Sequence, residues 1–347
     1  MTATVPLIPS SVVRTARRVR RARLRRTVAA LSAAVVVLFL VDVLLGSYTV
    51  TMVDLVRILG GADLPGATFI VLENKLPRAV VGLLVGVSFG ISGALFQTLL
   101  RNPLASPDVI GVTAGASTAA VVAIVVGVTG RAVSWWAIGG ACAVAALVHL
   151  VARRGALSGQ RLVLAGVGVA AMLQAVTSYL LTRSDLRTAA EVLIWLNGSL
   201  NNSTWDRVLH LLVALLVLVP ATVCLARGLR VLELGPPAAA ALGVPVDRTR
   251  LALLFTAVVL SAVATAAAGP VAFVAFLSGP IARRLLRGTT SLVAAGLVGA
   301  VVVLSAEFVA TNLVAGVSLP VGVVTGALGA PFLLYLLATA HRVGRGG

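Results

Sequence analysis

Hydrophobic positions in this chain gather into long continuous runs, separated by short polar or Pro/Gly-rich breaks. About 20 consecutive apolar residues cross a bilayer as a helix. The pattern predicts ten spans, at 28–45, 79–100, 108–129, 133–151, 162–182, 207–226, 251–268, 271–287, 290–312 and 320–339. The eighth is short and interrupted at Gly279-Pro280, so hydropathy alone leaves nine or ten open. Charge decides between them. With ten crossings and a cytoplasmic N-terminus, 21 of the 28 basic residues fall inside and 7 outside, whereas losing a span puts the later basic clusters on the wrong side. The expected fold is therefore an all-α polytopic membrane protein. It has a cytoplasmic basic arm (1–27), a single transmembrane domain of about ten helices (28–340) and a cytoplasmic tail (341–347).

Two connecting segments carry patterns of their own. Residues 184–206 hold an amphipathic stretch, Leu186 to Leu196, too short to cross; Trp195 and Trp205 suit a membrane interface. Residues 229–250, on the cytoplasmic side, predict one or two short helices around Gly235-Pro236-Pro237 and Gly243. Gly82, Gly86, Gly90 and Ala94 recur every four residues, placing a smooth stripe on one face of the second span for close helix packing. Gly322, Gly326 and Ala330 repeat the spacing in the last span.

The break "LLRNPLASPDVIGVTAGAS" (99–117) reads as a helix stop followed by a helix start. Pro103 lacks an N–H and disfavours helical geometry at Asn102. Ser106 is a good N-cap, Pro107 suits the first helical position, and Asp108 complements the positive helix end. The chain is expected to leave the second span at Arg101 and re-enter at Pro107. A rigid corner of this kind fits a pore mouth or a docking surface, although an ordinary helical hairpin uses the same residues.

Composition agrees with a membrane protein and narrows its chemistry. Hydrophobic residues make up 59%, charged residues 11%, and the mean hydropathy is +1.06, against about 25% charged in soluble domains. The formal charge of +17 suggests nucleic acid at first sight. Eight arginines, however, sit between Arg14 and Arg26, directly before the first apolar run, where they read as an anchor to anionic lipid. A signal peptide is disfavoured because the run 28–45 is long for one and no A-x-A site follows it. Cys142 and Cys224 lie apart in apolar runs and His149, His210 and His341 are scattered, so neither a disulfide frame nor a metal site is indicated. Asp42 and Glu307 are the acids in or beside the spans, with no obvious partner in the sequence, and no catalytic constellation accompanies them. The one lysine is Lys75. Without a GK[ST] lysine there is no P-loop, so any ATP-driven transport needs an ATPase on another polypeptide.

The segment "LPRAVVGLLVGVSFGISGALFQTLLRNPLASPDVIGVTAGAS" resembles the signature of the FecCD-type permeases, the ten-helix membrane subunits of ABC importers for ferric siderophores, haem and vitamin B12. The similarity continues through "RLVLAGVGVAAMLQAVTSYLL", "EVLIWLNGSL", "ALGV", "AGPVAFVAF" and "LPVGVVTGALGAPFLLYLL", in order, over almost everything after about Thr49. The resemblance implies a type II ABC importer permease fold in a bacterial cytoplasmic membrane. It makes Asn102, Pro103 and Leu104 the counterpart of the family's cytoplasmic gate, and Ser158, Gly159 and Gln160 that of a second gate element. Lys75 and Arg78 correspond to an outer-face site that meets acidic residues of a substrate-binding lipoprotein. The 229–250 segment, with Leu242, Gly243, Val244, Asp247 and Arg248, corresponds to the coupling helices that sit in a groove of the ATPase. Gln174, Ser178 and Thr325 become candidate pathway-lining residues.

Two positions depart from the family pattern. Ile281 stands in "LSGPIARRL" where many relatives have His, which resembles the second subunit of two-permease systems and favours a heterodimer over a homodimer. Thr311 stands in "AEFVATN" where some relatives have an Arg that holds the binding protein. The resemblance further implies two ATPase copies carrying ATP and Mg, with no cofactor on this chain and no nucleic-acid partner. A ferric siderophore is the favoured substrate ahead of vitamin B12 or haem. A stand-alone secondary carrier or exporter is the contrasting reading; it is disfavoured by the lack of mid-membrane acids or a Lys–Glu pair.

Overall fold

The computed structural model describes residues 10–46, 48–152, 159–312 and 318–343. Among them are thirteen helices and no strand: α1 (Ser10–Leu44), α2 (Met52–Leu59), α3 (Ala67–Leu99), α4 (Val112–Val125), α5 (Arg131–Ala152), α6 (Gly159–Arg183) and α7 (Leu186–Leu196). They continue as α8 (Trp205–Leu232), α9 (Pro236–Ala241), α10 (Val246–Ala268), α11 (Val274–Leu285), α12 (Leu292–Asn312) and α13 (Val321–Val343). Helix α3 contains one stretch of wider π geometry, Ile70–Lys75. Each of the ten expected spans coincides with a helix. Seven of these (α1, α3, α5, α6, α8, α10 and α12) are long and apolar enough to cross alone, while α4 and α13 have shorter apolar stretches.

Helix α3 is the axis of the bundle, with α10, α11 and α12 packed along it. Its glycine stripe explains why. A Cβ on Gly86 would lie 2.6 Å from the Ala300 Cα and one on Gly90 2.3 Å from the Ala295 carbonyl, so the α3 and α12 backbones touch along the stripe. The last span behaves differently. Gly322 is pressed against the Asn197 carbonyl, whereas Gly326 has nothing within 4 Å and Ala330 is exposed. Only the first residue of that second stripe serves packing. Hydroxyls add bonds between helices, from Ser92 to the Ala257 carbonyl (2.6 Å), from Ser134 to the Ala266 carbonyl (2.9 Å) and between Thr118 and Thr177 (3.0 Å).

The eighth span requires a correction. A break was expected at Gly279-Pro280, yet α11 runs through Pro280, and the irregular part is 269–273 ahead of it. Proline removes the N–H that would have bonded the carbonyl four residues back, which is that of Phe276. The buried Gln97 of α3 donates its Nε2 to this carbonyl at 3.0 Å, replacing the missing bond. With twelve residues, α11 is about 18 Å long and cannot cross alone.

Helix α2 was not foreseen. Its start is nonetheless marked by Thr51, whose hydroxyl oxygen accepts from Asp54 N at 3.1 Å, and it buries Leu55 and Ile58. Helix α7 coincides with the amphipathic stretch 186–196. It is capped by Asp185, whose carboxyl is held below the usual carboxylate range by hydrogen bonds from the Thr188 side chain and backbone.

Candidate functional site

The corner after α3 is tighter than a simple hairpin. Leu100 caps α3, Arg101 takes a left-handed φ of 50°, and Asn102 folds back through its N–H to the Gln97 carbonyl (3.1 Å). The Asn102 Oδ1 accepts from Leu104 N at 2.9 Å, making an Asx turn. Ser106 does cap the next turn, accepting from Val109 N at 3.4 Å, but that turn is separate from the helix that follows. Gly111, at φ 83°, ends it, and α4 starts at Val112, later than the expected re-entry at Pro107. The reason is tertiary. A Cβ on Gly166 of α6 would come within 2.6 Å of the Ile110 Cα, so this loop is pressed against α6 and turns before it can continue as helix.

Arg101 links the corner to the next feature. Its Nη2 donates to the Leu232 carbonyl at 3.0 Å, at the C-terminal end of α8, where a cation is favoured by the helix dipole. Immediately beyond lie Gly235, α9 and the turn at Gly243 (φ 78°), which closes α9 with bonds from Gly243 N to Ala240 O and from Val244 N to Ala239 O. Leu242, Gly243, Asp247 and Arg248 are exposed on this knuckle and Val244 is half-buried. Beside the corner, Gln97, Arg101, Asn102, Pro103, Glu233 and Arg283 line a cleft of about 420 Å³. Arg283 Nη2 donates to the Gln97 Oε1 at 2.9 Å, so the one amide braces both Pro280 and the cleft wall. Gln97 and Arg283 escaped the sequence reading; a lone amide in a helix of Gly, Ala and Val was the available signal. Of the second gate element, Ser158 lies outside the described residues, and Gly159 and Gln160 open α6.

At the opposite end, Lys75 and Arg78 were expected as charges offered to a binding protein. Both are engaged within the chain. Lys75 donates all three ammonium hydrogens to carbonyls at the end of α1 and just beyond, at Val43 (3.0 Å), Leu45 (2.7 Å) and Tyr48 (2.7 Å). Arg78 pairs through Nε with Glu307 Oε1 of α12, with side-chain exposures of 19% and 4%. This supplies the partner that the sequence did not reveal for Glu307. Asp42 joins the cluster from α1. Its Oδ2, the Arg78 Nη2 and the Glu307 Oε2 have no protein partner and adjoin a polar cavity of about 270 Å³, room enough for water.

The three candidate lining residues separate. Gln174 and Ser178 lie exposed on α6, a helix with only 17% of its apolar window buried. Thr325 is fully buried and its hydroxyl donates to the Gly322 carbonyl, so within this chain it packs α13 and faces no open route.

The family model described as the FecCD transport family matches residues 34–339. The ferric enterobactin transport system permease protein FepG of Escherichia coli K12 is 40% identical over 278 residues, covering 79% of this chain and 84% of FepG. The achromobactin transport system permease protein CbrC of Dickeya dadantii is 38% identical, covering 82% of this chain and 83% of CbrC. Among solved structures, a metal-chelate type ABC transporter in an inward-facing conformation superposes with a TM-score of 0.79 at 26% identity. The match covers 91% of this chain and 99% of that one.

Proposed function

The chain belongs to the FecCD transport family, and from that premise we propose that it is the permease subunit of an ABC importer for ferric siderophores, working by alternating access. The observation that carries the mechanism is the Arg101–Leu232 bond, which joins the corner at Asn102, Pro103 and Leu104 to the neck of the exposed 236–248 knuckle. A push on Leu242, Gly243, Asp247 and Arg248 by a closing ATPase reaches the corner through that bond and the short α9. ATP and Mg are held by two copies of that separate ATPase, since the chain has no P-loop lysine. Siderophores are the favoured cargo because the relatives FepG and CbrC are named for ferric enterobactin and achromobactin.

In this reading both termini are cytoplasmic, by the distribution of arginines. The exposed face of α6 with Gln174 and Ser178 meets a second permease subunit across the pathway, and Ile281 favours a partner of different sequence. A substrate-binding lipoprotein docks at the far end. The engaged Lys75 and Arg78 would there shape the surface by fixing α1, α3 and α12, while the exposed Asn74 of the π turn makes first contact.

The test is radio-iron uptake in a strain lacking the gene and fed single ferric siderophores. Uptake of at least one should disappear and return with the restored gene. Uptake unchanged for all of them would refute the cargo assignment. Movement of cargo by the purified chain alone in liposomes, along an ion gradient, would refute the subunit assignment.

A further inference from the structure

A crevice of about 1420 Å³ opens between the first half of α1 and the last half of α8, bordering the corner cleft at Glu233 and Thr290 and away from the ionic cluster. Its inner walls are apolar, from Ile91 of α3, Val219 and Val223 of α8, and Leu292 and Val293 of α12. Its rim is cationic. Arg17, Arg20, Arg21 and Arg23 come from α1, Arg230 from α8 and Arg287 from the turn before α12, against the single carboxylate of Glu233.

The α1 side is ordered by its own pattern. Val12, Ala16, Val19, Arg20 and Arg23 recur at three- and four-residue spacing and so share a face. Leu24 and Leu31 then pack against the buried cluster around Leu286, Ala294 and Ala295, holding the basic turns over the opening. At 35 residues α1 is about 52 Å long, well beyond the roughly 30 Å hydrocarbon core, which leaves these turns at headgroup level.

An open-sided slot in a bilayer with oily walls and a net positive rim needs an occupant that is apolar below and anionic above. A soluble phosphate ester matches only the rim, and a zwitterionic lipid leaves its surplus charge unmet. We propose that this crevice binds one anionic phospholipid of the leaflet at the corner end. Its phosphate lies among Arg20, Arg23, Arg230 and Arg287, and an acyl chain runs along Ile91, Val219, Val223 and Val293. The site is distinct from a diffuse attraction of the basic arm to the membrane surface, and it is independent of what the chain transports.

The experiment is native mass spectrometry of the full chain released from detergent, titrated with phosphatidylglycerol or phosphatidylcholine. Two charge-matched triple variants separate a site from a field. Arg20→Gln with Arg21→Gln and Arg23→Gln removes crevice arginines, while Arg18→Gln with Arg25→Gln and Arg26→Gln removes arginines that do not line it. Phosphatidylglycerol affinity should fall by at least about tenfold in the first triple and by less than about twofold in the second. Val223→Trp, which fills the apolar wall and alters no charge, should also weaken binding and is readable if the first triple does not fold. Millimolar inorganic phosphate should leave the bound lipid in place. Equal losses in the two triples would show a diffuse polybasic attraction and overturn the proposal. Equal binding of phosphatidylcholine, or displacement by phosphate, would overturn it as well.

Discussion

The Arg78–Glu307 pair offers a sharp test of what holds α3 and α12 together at the end remote from the Asn102 corner. Removing one member of a buried ion pair costs about 3–5 kcal/mol, because the remaining charge is left without water or a partner, whereas replacing both by apolar residues of similar size is often neutral. The two halves differ here. Glu307 has a side chain only 4% exposed and shares its cavity with Asp42, while the one other cation in the cavity, Lys75, is committed to three carbonyls. Arg78→Met therefore strands two carboxylates together and should cost the full range, about 3–5 kcal/mol. Arg78 is 19% exposed and adjoins the same cavity with Asp42 as a second carboxylate, so Glu307→Leu should cost less, about 1–3 kcal/mol. The double variant removes the stranded Glu307 but leaves Asp42 without Arg78, so it should lose less than Arg78→Met alone, giving a coupling energy of about 1 kcal/mol or more. The assay is unfolding in mixed detergent micelles by increasing SDS, followed by circular dichroism, for all four proteins. Losses that simply add, or a Glu307 variant weaker than the Arg78 variant, would refute the reasoning.

Further outcomes follow from the same geometry. Gly86→Val drives a side chain into the α12 backbone and should destabilise by about 1–3 kcal/mol or prevent folding, whereas Gly326→Ala meets nothing and should be neutral or stabilising by up to about 1 kcal/mol; one thermal melt series compares them. Arg101→Ala removes the bond to the Leu232 carbonyl and, if the 236–248 knuckle takes the push of the ATPase as proposed, should lower transport while co-purification with the ATPase persists; undiminished transport would refute that link to the corner. The depressed carboxyl of Asp185 stabilises the first turn of α7 fully above the ordinary Asp value near pH 4, and this support is lost as pH falls through its lower folded value. Protection of the Arg187 and Thr188 amides from hydrogen exchange, relative to their intrinsic rates at each pH, should fall over that interval, and Asp185→Asn should flatten the change.

The α11 region shows how a span can be interrupted without exposing backbone to lipid. Residues 269–273 are irregular but enclosed. Gly269 lies against the Trp195 carbonyl, Ser199 N bonds the Ala268 carbonyl at 2.8 Å, and Gly322 N bonds the Gly198 carbonyl at 3.3 Å. The C-terminal end of α10, the turn after α7 and the start of α13 thus satisfy one another, as non-helical backbone at membrane depth must be satisfied by protein.

Taken alone, the amino-acid sequence determined where the ten long apolar segments become helices, though not α2 or the place at which the eighth is interrupted. Hydrocarbon tolerates only backbone that bonds within itself, so each long apolar run had to become a helix, and the Gly82–Gly86–Gly90 stripe already announced which face would meet a neighbour. The polar corner between Arg101 and Pro107 was also legible, though not its extension to Gly111, because proline acts on its own and the preceding residue's dihedral angles. What only the tertiary structure decided was the partner of each polar group. Gln97 replaces the bond lost at Pro280, Lys75 caps α1, Arg78 meets Glu307, and Thr325 turns inward while Gln174 and Ser178 turn out. These pairings join residues far apart along the chain, and no local preference encodes them. They arise because a buried donor or charge must find an acceptor wherever helix packing brings one within reach.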